Sequence, residues 1–218
     1  MQFKTWRASA GAPALQGSWS DPGAYYDHPA VNISWNDAKH YSYWLMTGKQ
    51  SSAAIDSASD SQYMPTEAQY EKAARGIKYD NWKVNDAANR IWPWGNVYTP
   101  ALYCNDYNLA TPDEMNLLRG FGTTPVTKFP AQGYYGLYDI AGNVMQWMRD
   151  WTDTASGYYS SVQAGSEDPL NTSSGAYRAL RGGSWTHAEY ESFSCHARYH
   201  YSPSAFNKDY GFRPALKP

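Results

Sequence analysis

The stretch SWNDAKHYSYWLMTG, residues 34–48, carries the first of two helical patterns on which the fold class depends. Its apolar and small residues recur at spacings of three and four, as they do on one face of an α-helix. Ser34 is suited to cap the start of this helix, and Gly48 to the left-handed position after its end. The second pattern is MPTEAQYEKAARG, residues 64–76.

Thr66 and Gln69 in the second pattern have the spacing of a capping box, and Gly76 is expected to stop the helix. The Ser/Ala-rich residues 51–62 between the two patterns predict a surface loop. Beyond Gly76 no long periodic segment recurs, and short apolar runs lie between turn signals. These runs predict short strands within residues 91–96, 124–129, 136–140, 177–185 and 210–216.

The composition excludes several classes of protein. Aromatic residues make up 17% of the 218-residue chain and charged residues also 17%, a balance opposite to that of disordered proteins. The net charge is −2 and lysine and arginine form no runs, so the chain has no electrostatic footprint for nucleic acid. No apolar stretch approaches the roughly 18 residues that a membrane span needs, and the first residues lack the apolar core of a secretion signal.

Six segments, in this order, resemble the formylglycine-generating-enzyme (sulfatase-modifying factor) family: HPAVNISWNDAKHYSYWL (28–45), MPTEAQYEKAARG (64–76), IWPWGN (91–96), GLYDIAGNVMQW (136–147), RALRGGSW (178–185) and YGFRPA (210–215). The resemblance implies an α+β, C-type-lectin-like fold with two helices, short twisted antiparallel strands and much loop. It implies one domain over residues 1–218, within which residues 1–27 form a divergent or truncated N-terminal segment.

The resemblance also implies what the chain lacks as an enzyme. Enzymes of this family carry two cysteines, five residues apart, after the RGGS motif, and their thiolates bind copper and drive oxidation of a substrate cysteine. The matching positions here fall at about His187 and Ser192, and neither side chain can supply a thiolate. Cys104 and Cys195 are the chain's two cysteines; a bridge between them stays open, because connectivity cannot be deduced from sequence.

Histidines offer an alternative set of metal ligands. His187, His196 and His200 fall within 14 residues, and imidazole binds copper, iron and zinc. The simpler alternative is that they are exposed or hydrogen-bonded. We expect no catalytic residue and no catalytic cofactor, with a metal-dependent oxidase of altered active site as the alternative function.

A structural calcium ion is a second implication of the resemblance. The ligands would be the side chains of Asp139 and Gln146 and the carbonyls of Gly142 and Val144, a mixed set of oxygens that suits calcium. Gln146 stands where glutamate is usual in the family. The alternative is a buried structural turn.

The segment THAEYESFSCHARYHYSPSAFNKDY, residues 186–210, is the candidate binding site. It lacks a period of 2 or 3.6, and six of its 25 residues are aromatic, mixed with serine, histidine, aspartate and asparagine. Rigid aromatic anchors among small polar groups are typical of antibody paratopes. The predicted ligand-binding residues are Thr186, His187, Glu189, Tyr190, Ser192, Tyr199, His200, Tyr201, Ser202, Ser204, Asn207, Asp209 and Tyr210.

This arrangement is most similar to the variable proteins of diversity-generating retroelements, in which adenines of a C-terminal repeat are randomised. Randomising an AAY asparagine codon cannot yield Glu, Lys, Gln, Met or Trp. These types number three in residues 186–210 and 36 in the other 193 residues. These residue types are thus slightly rarer in the segment than in the rest of the chain, as randomisation of such codons predicts. The resemblance predicts a non-catalytic protein that binds a protein or other macromolecular ligand, displayed on a cell or virion; a structural relative without this role is the alternative.

Overall fold

The computed structural model describes residues 27–48, 60–76, 79–80, 83–84, 90–107, 122–152, 170 and 175–215. The predicted N-terminal segment 1–27 lies outside them except for Asp27, as does the predicted loop 51–62 except for residues 60–62. In chain order the elements are α1 (Trp35–Thr47), a 3-10 helix (Asp60–Tyr63), α2 (Glu67–Arg75), β1 (Tyr79–Asp80), β2 (Lys83–Val84), α3 (Pro100–Tyr103), β3 (Met145–Thr152), β4 (Tyr177–Arg181), a second 3-10 helix (Tyr190–Phe193), β5 (Tyr199–Tyr201) and β6 (Tyr210–Phe212).

Both predicted helices are confirmed, with their caps. In α1 the Ser34 hydroxyl accepts from the Asp37 backbone N–H, and the Asp37 carboxylate accepts from the Ser34 N–H. Gly48 ends the helix at φ +67°, a left-handed conformation that glycine adopts without steric cost. Because each cap satisfies backbone groups that the helix leaves unpaired, the local sequence sets both ends of α1.

The start of α2 has a local cap and a distant one. Thr66 and Gln69 form the predicted capping box. In addition, the Glu67 N–H donates to the buried carboxylate of Asp150 in β3 at 2.6 Å. A carboxylate at a helix N-terminus is favoured by the helix dipole, so this bond orients α2 against the sheet.

A four-stranded sheet in the order β5-β4-β3-β6 forms the centre of the described structure. The α+β class is confirmed. The predicted antiparallel pairing holds for β3–β4 and β4–β5, whereas β3 and β6 run parallel. The parallel pair arises because residues 202–209 carry the chain from β5 at one edge of the sheet to β6 at the other edge, so that β6 runs in the same direction as β5 and β3.

Two of the five predicted strand regions contain strands, namely 177–185 with β4 and 210–216 with β6. The strands predicted within 91–96, 124–129 and 136–140 are wrong, since these residues form turns. Trp92 and Gly95, for example, exchange backbone hydrogen bonds across a two-residue turn. The sequence pattern does not predict β3 or β5, because apolar runs interrupted by turn residues do not reveal which run will pair.

Two tryptophans tie α1 to the central strand. The Trp35 indole N–H donates to the carbonyl of Met148, and the Trp147 indole N–H donates to the carbonyl of Ile33, each at 2.8 Å. Both indoles are almost fully buried. A buried indole needs such an acceptor, so these bonds fix the distance between the helix and β3 while the rings fill the core.

A cluster of buried ion pairs lies on the other side of the sheet. The Glu67 carboxylate contacts Arg181 Nε at 2.7 Å and Arg198 Nε at 2.8 Å. Glu71 contacts the same two guanidinium groups at 3.2 and 2.5 Å. Arg181 and Glu67 are completely buried. The cluster therefore joins α2, β4 and the segment that precedes β5.

We expect Glu67→Ala to lower the free energy of unfolding by about 3–5 kcal/mol, because it leaves buried guanidinium charge without its partner. Urea unfolding of the purified variant measures this. Lys72→Ala in the exposed face of the same helix is the control, with an expected change within about 0.5 kcal/mol. A loss below about 1 kcal/mol for Glu67→Ala would contradict the role given to the cluster.

Candidate functional site

The candidate segment 186–210 begins where the chain leaves β4 through two glycines in left-handed conformations. A Cβ on Gly182 would lie 2.9 Å from the Ile140 carbonyl oxygen, and one on Gly183 would lie 2.8 Å from that of Ser192. Only glycine allows such close approach of two backbones. The two glycines of the RGGS motif therefore allow the backbone of the segment to pack closely against its neighbours.

Side chains at the two ends of the segment are joined by Asp209. Its Oδ2 accepts hydrogen bonds from the hydroxyls of Ser184 and Thr186, each at 2.8 Å. The Ser184 hydroxyl also lies 2.8 Å from His187 Nδ1. Ser184 is completely buried and donates to the carboxylate, so these residues form a structural network and not an accessible nucleophile activated by histidine.

The His187 imidazole belongs to this network. It is half-buried and lies against the Tyr199 ring, with 5.0 Å between ring centroids. Burial lowers the pKa of His187, while Asp209 and Glu189 act in the opposite direction. The neutral imidazole is therefore the form that the fold favours.

The thirteen predicted ligand-binding residues divide by exposure into three groups. The exposed group is Glu189, Tyr190, His200, Tyr201, Ser204 and Asn207. The half-buried group is Thr186, His187, Tyr199 and Ser202. The buried group is Ser192, Asp209 and Tyr210.

The buried group corrects the prediction, because these three side chains are not available to a ligand in this structure. Ser192 accepts from the Tyr199 hydroxyl at 2.7 Å, and Asp209 holds the network described above. Tyr210 is in β6 and packs edge-on against Trp147. Residue type alone could not separate the buried Tyr210 from the exposed Tyr201, because both are tyrosines in short strands. Their rings lie 5.0 Å apart.

The exposed residues do not all share one face. In the edge strand β5, His200 pairs with Ala179 and lies beside the exposed Tyr177, with ring centroids 5.5 Å apart. Tyr201 lies on the opposite face of the strand, where it contacts Tyr210. The alternation of a β-strand makes this separation unavoidable.

Tyr190 also belongs to an aromatic surface whose other members lie outside the predicted site. The exposed Tyr190 packs edge-on against Trp92 and Tyr98, and the Trp92 indole donates to the Tyr190 carbonyl. The same stretch of chain carries further exposed apolar side chains, namely Ile91, Val97, Leu102 and Tyr107. In the sequence, the motif IWPWGN is the feature that could have indicated this surface. Its apolar run predicts a strand instead, so the exposed surface is not evident from the sequence.

Both cysteines are free and buried. Burial raises the pKa of Cys195 to about 11 and raises that of Cys104 still further. Both therefore remain thiols at neutral pH, whereas thiolate is the form that binds metal.

A cavity of about 540 Å³ lies beside His187. It is lined by His187, Glu189, Glu191, Ser192, His196, Ala197, Arg198 and Tyr199. Among the residues that the structure describes, no group of three or more His, Cys, Asp or Glu side chains could hold a metal ion.

The predicted calcium loop fits the ion poorly. Asp139 is buried, and burial raises its pKa to about 6. The Gln146 side-chain oxygen already accepts from Arg213 Nε at 3.0 Å, and its nitrogen points to the Asp139 carbonyl at 2.8 Å. Calcium takes six to eight oxygen ligands, so a loop that presents an amide nitrogen and a guanidinium group does not suit it.

The sequence of this chain is similar to those of known proteins. The sequence profile of the Sulfatase-modifying factor enzyme 1-like domain matches residues 4–218. The chain is 34% identical over 194 residues to the formylglycine-generating enzyme of Mus musculus, covering 87% of this chain and 44% of that protein. It is 36% identical over 163 residues to the inactive C-alpha-formylglycine-generating enzyme 2 of Bos taurus, covering 73% and 39%. The chain thus spans less than half the length of these two relatives.

A solved structure with a similar fold is Treponema denticola variable protein 1. The TM-score is 0.62, with coverage of 98% of this chain and 80% of that chain, at 24% identity. This likeness confirms the predicted fold.

Among the described residues, the helices are too short or too polar to cross a membrane.

We expect stability to fall more steeply with acidification in the native protein than in the variant His187→Asn. A histidine whose folded pKa is lowered contributes stability that is complete above about pH 6.5, its unfolded pKa, and is lost as the pH falls towards the folded value. The difference in Tm between variant and native protein should therefore shift in favour of the variant between about pH 7.5 and 5.

Thermal unfolding followed by circular dichroism at several pH values measures this shift. His196→Asn, at an exposed position, is the matched control. Parallel pH profiles for native protein and His187→Asn would show that burial of His187 has no thermodynamic consequence.

Proposed function

Because the chain belongs to the sulfatase-modifying factor enzyme 1-like family, we propose that it is a non-catalytic member that binds a macromolecular ligand through residues 186–210. The observation that carries the proposal is a contrast within this segment. Its backbone is attached to the core along its whole length, while many of its side chains are exposed.

The attachments are backbone hydrogen bonds to three separate regions of the chain. Tyr107 donates to the carbonyl of His187, and Cys195 donates to that of Ile91. Asn32 donates to the carbonyl of Asn207. Together with the Arg198 ion pairs and the Asp209 network, these bonds hold the segment rigid, and a rigid segment loses little entropy when it binds.

The exposed side chains have the chemistry of a binding surface. Tyr190 is 54% exposed and Tyr201 is 39% exposed; both supply large contact area with little conformational entropy to lose. Small polar groups, such as Ser204 and Asn207, can adapt their hydrogen bonds. None of these side chains is needed for the attachments described above, so substitution there need not disturb the fold.

The aromatic surface beside Tyr190 extends the contact area. Val97, Leu102 and Tyr107, from the same stretch of chain, are 72%, 62% and 65% exposed; we infer that they enlarge this surface, since exposed apolar patches mark interaction sites. A protein ligand fits this surface, with the carboxylates of Glu189 and Glu191 favouring a partner that carries basic groups there. Display on the surface of a cell or virion belongs to the same proposal.

Diversification of the segment is supported by its composition, which is depleted in the residue types that a randomised AAY codon cannot encode. The fold of Treponema denticola variable protein 1 shows that the same scaffold occurs in a protein of that name. Absence of a catalytic role is supported by the two buried thiols and by the inactive relative of Bos taurus.

An oxidase of altered chemistry is the second candidate, and the 34% identity to the formylglycine-generating enzyme of Mus musculus favours it. Its site would be the cavity beside His187. Copper-loaded protein should then hold stoichiometric copper and consume oxygen with a cysteine-containing peptide. We expect neither, and stoichiometric copper that is lost in His187→Asn would favour the oxidase.

A matched pair of tyrosines tests whether the segment displays side chains. We expect Tyr210→Ser to destabilise the protein by about 3 kcal/mol or more, because it opens a cavity in the core, and Tyr201→Ser by less than about 1 kcal/mol. Urea unfolding measures both. Equal losses would mean that the segment is packed framework, and the display proposal would fail.

A selection experiment tests binding directly. A library randomised at the exposed positions Glu189, Tyr190, His200, Tyr201, Ser204 and Asn207 is displayed on phage and selected against lysozyme as an arbitrary protein target. We expect folded binders from this library and none from a control library randomised at Ser192, Asp209 and Tyr210. Failure of the first library to yield binders would count against a diversified binding surface.

A further inference from the structure

Gln146 lies in the inner strand β3, and both the oxygen and the nitrogen of its side-chain amide form hydrogen bonds. It is 3% exposed and pairs with Arg181 on one side and Gly211 on the other. Its oxygen accepts from Arg213 Nε at 3.0 Å, and its nitrogen donates to the carbonyl of Asp139 at 2.8 Å. Both ends of the amide are therefore used, and the nitrogen points into the loop.

Arg213 contacts the same loop. A terminal nitrogen of its guanidinium donates to the carbonyl of Tyr138 at 2.6 Å and lies 3.4 Å from that of Asp139. The parallel register pairs Gln146 with Gly211, and alternation along the strand puts Arg213 on the same face as Gly211. Two donors and one positive charge thus meet the carbonyls of Tyr138 and Asp139, and one of the donors is the Gln146 side chain, which the resemblance names as a calcium ligand.

We propose that Gln146 and Arg213 replace a bound cation in this loop, so that the fold is stable without calcium. Arg213 supplies the positive charge and Gln146 the inward-pointing donor. One Asp139 oxygen accepts from Asn143 at 3.2 Å, and the other is buried without a hydrogen-bond partner among the described residues. The loop therefore retains unused capacity to accept a cation, and the Gln146 nitrogen is the group that excludes it.

The substitution Gln146→Glu should reverse this arrangement. Glutamate has the same shape, but places an oxygen where the nitrogen now donates to the Asp139 carbonyl. Two acceptors would then face each other, at a cost typical of unpaired buried polar groups. A calcium ion between these oxygens would remove the repulsion, because it prefers carboxylate and carbonyl ligands.

Thermal unfolding in EDTA and in calcium tests the proposal. The native protein should have the same Tm in about 1 mM EDTA and about 5 mM calcium, concentrations that span weak calcium sites. Gln146→Glu should unfold roughly 5 °C or more below the native protein in EDTA and recover at least half of that difference in calcium. Gln69→Glu, which adds the same charge at a half-buried capping position, should show no calcium response.

Calorimetric titration of the native protein with calcium keeps the proposal falsifiable if Gln146→Glu does not fold. Stoichiometric calcium binding by the native protein, or a rise of its Tm with calcium, would overturn the proposal. A folded Gln146→Glu variant without a calcium response would overturn it too, because the nitrogen would then not be what excludes the ion.

Discussion

The carboxylate of Glu67 imposes the strictest constraint on this structure. It is completely buried and shared by Arg181 and Arg198, and a buried charge is tolerated only when its partners are held in good geometry. Helix α2, strand β4 and the segment before β5 must therefore stay in register with one another. The Asp150 carboxylate, which accepts from the N–H of the same glutamate, extends this constraint to β3.

This constraint separates framework from surface in the C-terminal segment. Arg198 belongs to the framework because its ion pairs lie in the buried cluster, and Asp209 because it binds two hydroxyls near the segment's start. Between these fixed points the side chains of Tyr201 and Ser204 project outward. A scaffold that fixes a few residues strongly can leave the others free to vary, since distant sites contribute to stability independently.

The Gln146–Arg213 pair follows the same logic as the buried ion pairs. In both places fixed side-chain charges and hydrogen bonds satisfy buried polar groups, and they are formed whenever the chain is folded. The buried thiols fit this picture, because burial keeps Cys195 protonated at neutral pH.

The sequence by itself determined the helices, since the caps at Ser34 and Thr66 act within three residues of the chain. Its motifs also indicated the family and the α+β class. Only the tertiary structure decided which short runs pair as strands, which of Tyr201 and Tyr210 is buried, and that Arg213 lies against Gln146, 67 residues away. The physical reason is range: capping depends on neighbouring residues, whereas burial and ion pairing depend on contacts between residues far apart in sequence.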